Sequence, residues 1–163
     1  MSDNTPPFAL YNPAMLPPEV LLAEFTARRP LLEILLGIIR ANDPGQPPQH
    51  VLVVGPRGMG KTTLLCAIAG SIALREPELK NQWQPVVFDE ESRRIGDLTD
   101  FWLECIRQWE SATEPNLTRS HRLDALLAKP GPDIEDQARE VFLSLVDASG
   151  KRALLLIDNL NDL

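Results

Sequence analysis

Residues 55–62 read Gly-Pro-Arg-Gly-Met-Gly-Lys-Thr, and this stretch decides the fold class of the chain. An apolar, β-branched run at 50–54 comes directly before it and predicts a strand buried on both faces. From Lys61 onward, apolar residues recur at three- and four-residue spacing, which predicts an amphipathic helix closed by Arg75 and ended by Pro77. A glycine-rich loop between a strand and a helix indicates an α/β protein with a parallel sheet.

The loop matches the pattern Gly-x-x-x-x-Gly-Lys-Ser/Thr, which is the P-loop or Walker A motif. Backbone N–H groups must wrap a polyphosphate at close range, and we expect Gly55, Gly58 and Gly60 to give the chain that freedom. Lys61 is expected to place its ammonium against the outer phosphates, and Thr62 to offer a hydroxyl ligand to magnesium. The nucleotide-binding residues predicted here are Gly55, Pro56, Arg57, Gly58, Met59, Gly60, Lys61, Thr62 and Thr63.

A second apolar run, at 153–157, delivers Asp158 at the carboxyl end of a predicted strand, where open α/β sheets bind their ligands. This arrangement resembles the Walker B motif. A carboxylate in that place can hold magnesium, so Thr62 and Asp158 form the predicted metal site. Lys61 and Asp158 are therefore predicted to have catalytic roles as well.

Between the two motifs, the sequence continues to alternate strands and helices. A strand is predicted at about 86–89, and Asp97 and Asp133 are the predicted N-caps of two later helices. A shorter helix is predicted around 117–129. Buried apolar strands alternating with helices indicate a parallel α/β sheet.

The N-terminal third is rich in proline and is interpreted as a preface to the nucleotide-binding part. We divide the chain into a proline-rich extended arm at 1–18, a helical preface and linker at 19–49, and a P-loop nucleotide-binding domain at 50–163. Proline removes a backbone donor and restrains the residue before it, so the arm is not expected to be helical. Pro30 is expected to lie in the first turn of the second helix of the preface.

The 163 residues include 16 Lys and Arg against 23 Asp and Glu, a formal charge of −7. This balance disfavours nucleic-acid binding without a local basic patch, and the basic pairs at 93–94 and 151–152 are interpreted as solvated loop ends. Apolar runs fall short of the ~20 residues of a membrane span, and no secretory signal is recognisable, which predicts a cytoplasmic protein without a membrane segment. Cys66 and Cys105 are expected to be buried, reduced thiols.

Residues 55–65 and the run Leu-Leu-Leu-Ile-Asp-Asn-Leu at 154–160 resemble P-loop ATPases of the AAA+ and STAND kind, including their origin-recognition-like branch. The segment from Phe25 through Arg28 to Leu32 is similar to the Phe-x-x-Arg-x-x-x-Leu segment that precedes the P-loop in that group. An ordinary amphipathic helix explains Phe25 and Arg28 equally well.

The resemblance implies a P-loop NTPase fold, a three-layer α/β structure around a parallel sheet, with ATP or ADP and magnesium as ligands. It also implies that the preface, with Arg28, lines the adenine pocket. Self-association or a protein partner stays open, and nucleic acid enters only through the resemblance. Related proteins serve DNA replication, transposition, defence and transcription, so the likeness does not select an effector.

Asn159 departs from the AAA+ pattern, in which a Glu usually follows the Walker B Asp. An amide still positions water by hydrogen bonding but accepts no proton as a general base. Loss of a positioned base typically costs ~100- to 10,000-fold in rate. Asn159 therefore joins Lys61 and Asp158 as the third predicted catalytic position, with Asp162, Glu90 and Glu91 as weaker substitutes.

The sheet is expected to be incomplete at the C-terminus, because in the resembled fold a later strand inserts between the Walker A and Walker B strands. We interpret the chain as truncated after its Walker B strand at Leu163. Two alternatives stay open: the two strands pair directly, as in the kinase and GTPase branch of P-loop proteins, or a partner chain donates the strand.

The function expected from these features is that of an ATP-binding ATPase module that acts as a conformational switch, with hydrolysis only in a complete or assembled form. A non-hydrolysing nucleotide-binding scaffold is the first alternative, favoured by Asn159. A small-molecule kinase is less favoured, since no acceptor-binding motif or arginine-rich lid is recognisable.

Overall fold

A computed structural model describes residues 13–88, 95–114, 120–128 and 131–158. Asn159, Asp162, Glu90 and Glu91, which the sequence singled out, lie outside these ranges. After a short 3-10 turn at Pro13–Met15, the helices are α1 Pro18–Glu24, α2 Arg29–Arg40, α3 Lys61–Leu74, α4 Pro77–Gln82, α5 Leu98–Thr113, α6 His121–Leu127 and α7 Ile134–Ser149. The strands are β1 Trp83–Phe88 and β2 Arg152–Ile157.

The two strands pair in parallel, in a register that runs from Trp83 opposite Arg152 to Phe88 opposite Ile157. The connection between them carries α5, α6 and α7, as parallel strands require a long crossover. Both strands were predicted from their apolar runs, although β1 begins three residues earlier than the pattern indicated. In the part of the chain that the structure describes, the sheet has these two strands.

The strand predicted at 50–54 is not formed. No strand is assigned to these residues, and no backbone–backbone hydrogen bond joins residues 50–55 to another described residue. Val51, Leu52 and Val54 are 48%, 72% and 83% exposed. A buried strand needs a neighbour whose backbone donates and accepts along its edge, and residues 50–54 have no such neighbour among the described residues, because the described pairing of β2 is with β1. The predicted burial of the run is therefore wrong, and so is the direct pairing of the Walker A and Walker B strands.

The helical preface is confirmed. A proline lies in the first turn of α1 and of α2, and Pro30 is the one that was predicted. Residues 25–28 are not helical and separate α1 from α2. Helix α2 buries one apolar face. The buried residues of that face are Leu32, Leu35, Leu36 and Ile39.

Helix α3, which follows the glycine-rich loop, is enclosed rather than amphipathic. It packs against α1, α2, α4 and β1, and only its last two residues, at 73–74, are exposed. Leu64, Ala67 and Ile72 are at most 1% exposed. The amphipathic prediction is wrong because apolar residues occur on all sides of this helix, which marks a core element. The loop is thus held by a helix fixed in the first hydrophobic cluster.

Helices cover both faces of the two-stranded sheet. On one face, Leu154 and Leu156 join the cluster around α3, and on the other, Val86 and Phe88 join a second cluster with α5 and α7. Successive strand residues point to opposite faces, so two clusters are built from two short strands. Among the described residues, no helix combines the length and the apolar character that crossing a bilayer demands.

Candidate phosphate-binding site

The glycine-rich loop enters α3 through two residues with left-handed backbone. Gly58 has φ 81° and Gly60 has φ 75°, a region that L side chains rarely adopt. Gly55 lies outside that region, contrary to the expectation, and it contributes space instead: an added Cβ would come within 2.9 Å of Met59 Sδ. Gly58 and Gly60 thus set the backbone path of the loop, and Gly55 leaves room for the Met59 side chain.

Gly60 is the N-cap residue of α3 and offers no side chain to the N–H groups of the first turn. The first turn also contains no acidic residue. The first N–H groups of a helix have no partner within the helix, and the helix dipole makes this end positive. A helix end left in this state is a favourable site for an anion.

Lys61 folds its side chain back over the start of the loop. Its Nζ donates hydrogen bonds to the carbonyl oxygens of Gly55, at 2.9 Å, and Pro56, at 3.2 Å. The predicted phosphate-binding cation therefore lies beside the loop, on a flexible stem that other acceptors can attract.

Thr62 and Asp158 are brought together although they lie 96 residues apart in sequence. Thr62 Oγ1, in the first turn of α3, donates a hydrogen bond to Asp158 Oδ2, directly after β2. The Asp158 N–H faces the carbonyl of Phe88 at 3.4 Å, which continues the strand pairing by one residue. The predicted metal pair is therefore assembled by the sheet and by α3.

The donor set of this pair fits magnesium, a hard cation that binds oxygen and keeps several waters or phosphate oxygens. Such a site needs few protein ligands. Within the described ranges, no group of three or more His, Cys, Asp or Glu side chains is placed to hold a metal ion. Thr62 and Asp158 are therefore the residues that we consider for a cation.

The remaining predicted residues differ in their placement. Pro56, Arg57 and Met59 are exposed in the loop, and Thr63 is half-buried in the first turn of α3. Arg28 is the half-buried N-cap residue of α2, and no described hydrogen bond or ion pair joins its side chain to the loop. Phe25 is 8% exposed and belongs to the first hydrophobic cluster. The structure brings Lys61, Thr62 and Asp158 together at the loop but leaves Arg28 without a contact there.

Sequence reasoning missed Arg152, which was interpreted as part of a solvated loop end. Its guanidinium lies 3.9 Å from the centre of the Trp83 ring and donates to the carbonyl oxygen of Asn42 and to Gln82 Oε1. The position of Arg152 just before an apolar run was a weak signal, and nothing in the sequence pointed to Asn42 as its acceptor.

Comparison of the chain with curated proteins and with solved structures finds no match. A family model described as AAA ATPase domain matches residues 24–163, which include the preface helix α2, the glycine-rich loop and Asp158. The match supports the predicted resemblance at the level of the family and not of a branch. The chain belongs to the AAA ATPase domain family, whose members have the P-loop NTPase fold and bind nucleotides.

Proposed function

We propose that this chain binds ATP together with magnesium at residues 55–63 and forms part of an ATPase that acts as a conformational switch. The observation that carries the proposal is the hydrogen bond between Thr62 and Asp158, which places two oxygen ligands beside the loop. Hydrolysis in this proposal belongs to the complete or assembled protein.

The phosphates are bound by the loop and by the start of α3. The N–H groups of the first turn have no side-chain cap, and they form the positive end of the helix dipole. Lys61 exchanges the carbonyls of Gly55 and Pro56 for the outer phosphate oxygens, since phosphate is a charged and stronger acceptor.

Thr62 and Asp158 would hold the magnesium ion. Magnesium, when bound, neutralises negative charge on the β- and γ-phosphates as the transferred group departs. Because Thr62 lies in the first turn of α3 and Asp158 follows β2, a change at the outer phosphates would reach both elements, and α7 and α5 pack against the two strands of the sheet.

A titration with fluorescently labelled ATP in the presence of magnesium tests binding. Lys61→Ala is expected to weaken affinity by about 10- to 100-fold, the range for a lost hydrogen bond to a charged group. Lys80→Ala, which removes an exposed lysine of α4, is the matched control and should bind like the parent chain. Equal affinity for the parent and Lys61→Ala would reject the proposal.

A non-hydrolysing scaffold is the second candidate, and Asn159 is the observation that favours it. Phosphate release at background while ATP still raises the melting temperature is expected of a scaffold. Release above background that Asp158→Asn abolishes is expected of an ATPase. Asn159→Glu would restore a general base, and a gain in rate would show that this position limits turnover.

The origin-recognition-like branch and the adenine-binding role of Arg28 are finer parts of the proposal. They are supported by the Phe25–Leu32 segment, which the family match at 24–163 includes without selecting a branch. If Arg28 lines the adenine pocket, Arg28→Ala should reduce the preference for ATP over GTP. An unchanged preference would assign this residue to the helix start alone.

We also propose that the full sheet contains a further parallel strand between residues 50–54 and β2, and that residues 50–163 form the nucleotide-binding domain behind the preface at 19–49. The support is the apolar character of residues 50–54 together with the absence of a described backbone partner for residues 50–55. Val51, Leu52 and Val54 are exposed, and so is Leu155 in the middle of β2, at 37%. A strand between residues 50–54 and β2 would supply hydrogen-bond partners to the backbone N–H and C=O groups of residues 50–55 and would cover these side chains.

A further inference from the structure

Residues 43–56, which we name the lead-in segment, connect α2 to the start of the glycine-rich loop. No helix or strand is assigned to them, and most are exposed. The C-terminal end of the glycine-rich loop, by contrast, is fixed, because it continues into α3, which is enclosed in the first hydrophobic cluster. Gly55 and Pro56 are therefore positioned without strand pairing in the described residues, by the hydrogen bonds from Lys61 to their carbonyl oxygens and by contacts at the ends of the lead-in segment.

Arg152 provides such a contact at the first residue of β2. Its guanidinium stacks on Trp83, which is 7% exposed, and donates to the Asn42 carbonyl oxygen and to Gln82 Oε1 at 3.2 Å. A guanidinium is planar and has five donors, so it can stack and donate in two directions at once. Lysine has no planar group with which to do the same.

Asn42 connects Arg152 to the lead-in segment through hydrogen bonds of its own side chain. Its Nδ2 donates to the Ile38 carbonyl at the end of α2, and its Oδ1 accepts from the Gln49 N–H at 2.8 Å. The second bond closes residues 43–48 into a loop and fixes the point at which the chain turns toward 50–56. The contacts run without a gap from β2 through Asn42 to Gln49, one residue before the apolar run.

We propose that Arg152 is a positioning residue for the phosphate site: it ties the lead-in segment to the strand that carries Asp158. The opposite end of β2 is linked to α3 by Asp158 and Thr62. The two contacts attach the lead-in segment and the first turn of α3, which flank the glycine-rich loop, to opposite ends of one strand. This inference rests on the proposed function, because it concerns how the ATP site is kept in place.

The test compares ATP affinity in the parent chain, Arg152→Ala, Arg152→Lys and Arg139→Ala. Arg139 is an exposed arginine of α7 paired with Asp136, and its variant should bind like the parent. Arg152→Ala is expected to weaken magnesium-dependent ATP binding by about tenfold, the lower end of the loss that follows removal of a residue that orients the ligands of a site. Arg152→Lys should recover only part of the loss.

Amide hydrogen exchange separates positioning from general destabilisation. In Arg152→Ala, the Gln49 amide and residues 50–57 should exchange faster, while the core amides of α3 and α5 keep the parent's rates. Faster exchange in α3 and α5 as well would assign Arg152 to overall stability and overturn the proposal.

Asn42→Ala tests the same connection while Arg152 stays in place, in case Arg152→Ala does not fold. It removes the acceptor of the Gln49 N–H, so it should accelerate exchange in the lead-in segment and weaken ATP binding. Faster exchange with unchanged affinity would overturn the inference. A parent chain that binds no ATP would reject the proposed function instead, and this outcome is distinct because the exchange comparison needs no nucleotide.

Discussion

The chemistry of the site is concentrated in single side chains that the fold brings within hydrogen-bonding distance. Thr62 and Asp158 come from the start of α3 and the end of β2, and each offers an oxygen to a cation. Lys61 is next in sequence to Thr62 but points back to the loop carbonyls. Under the proposed function, these two adjacent residues of one helical turn would serve phosphate and metal separately.

If Thr62 acts through magnesium, its removal should matter only when magnesium is present. Thr62→Ala is expected to weaken ATP binding about tenfold with magnesium, by the loss of one charge-assisted contact, and to have little effect in EDTA. Thr62→Ser retains the hydroxyl and serves as the control. An equal loss with and without magnesium, measured by the same titration, would contradict the metal role.

Cys105 illustrates how burial sets the reactivity of a residue. It is fully buried, and burial, aided by the negative charge of Glu104, raises the pKa of its thiol to about 12. The thiolate is the nucleophile, so a thiol with this raised pKa is almost entirely unreactive at pH 8. We expect Cys105 to resist iodoacetamide in the folded chain and to react after unfolding, as peptide mass spectrometry would show.

The raised pKa also predicts the direction of a pH effect on stability. The unfolded thiol ionises near pH 9 and the folded thiol near pH 12. The contribution of Cys105 to stability is therefore complete below about pH 9 and is lost as the pH rises toward 12. Between pH 8.5 and 10.5 the free energy of unfolding should fall less steeply in Cys105→Ala than in the parent, and parallel curves would contradict this.

At the scale of elements, the helix N-termini show which of the predicted N-cap residues form a stabilising hydrogen bond. Asp97 was predicted to cap α5, and its Oδ1 accepts the N–H of Asp100 at 2.9 Å, while Asp100 Oδ2 accepts from the Gly96 N–H. Asp133 was predicted to cap α7 and lies at the N-cap position, but its side chain makes no capping hydrogen bond. The two aspartates are therefore a matched pair with different geometry.

Asp97→Ala is expected to cost about 1 kcal/mol of folding stability, as for other N-cap aspartates that accept a hydrogen bond. Asp133→Ala removes the same charge at a helix start without such a bond, and we expect a smaller loss, a few tenths of a kcal/mol from the helix dipole. Urea unfolding of both variants measures the difference. Equal losses would show that charge, and not the hydrogen bond, stabilises α5.

At the scale of the whole molecule, two hydrophobic clusters lie on opposite faces of the short sheet, and an apolar edge stays open beside it. The first cluster contains the preface and α3, and the second contains α5 and α7. Residues 50–55 have no described backbone partner, and Val51, Leu52, Val54 and, in β2, Leu155 are exposed apolar side chains. Uncovered edges of this kind are templates for association, and AAA ATPase domains frequently form oligomers.

We expect the isolated chain to self-associate through this edge. Leu52, at 72% exposure, contributes little to the fold of the single chain, so Leu52→Lys should leave its melting temperature nearly unchanged and raise the concentration at which it associates. Ile34→Lys, at a position 60% exposed on α2, is the matched control. Sedimentation velocity would contradict the expectation if both variants associated like the parent.

Most elements were predictable because their signals are local. The prolines of the preface, the Asp97 cap and the apolar runs of β1 and β2 act within a few residues, and the structure confirms them. The run at 50–54 has the same composition as a buried strand but is exposed, because strand formation depends on a partner that is distant in sequence. The burial of α3 on all sides likewise depends on the packing of α1, α2, α4 and β1 against it, which its own sequence does not specify.

The glycine-rich loop, its place before α3, and Lys61, Thr62 and Asp158 as the predicted residues of the site could all be read from the sequence, since motif spacing and apolar periodicity are local features of the chain. The family match at 24–163 agrees with that interpretation. Only the tertiary structure decided that Asp158 bonds to Thr62, that Arg152 reaches Asn42, and that residues 50–54 have no described strand partner. These contacts join residues far apart in the chain, and their formation depends on packing of the whole molecule.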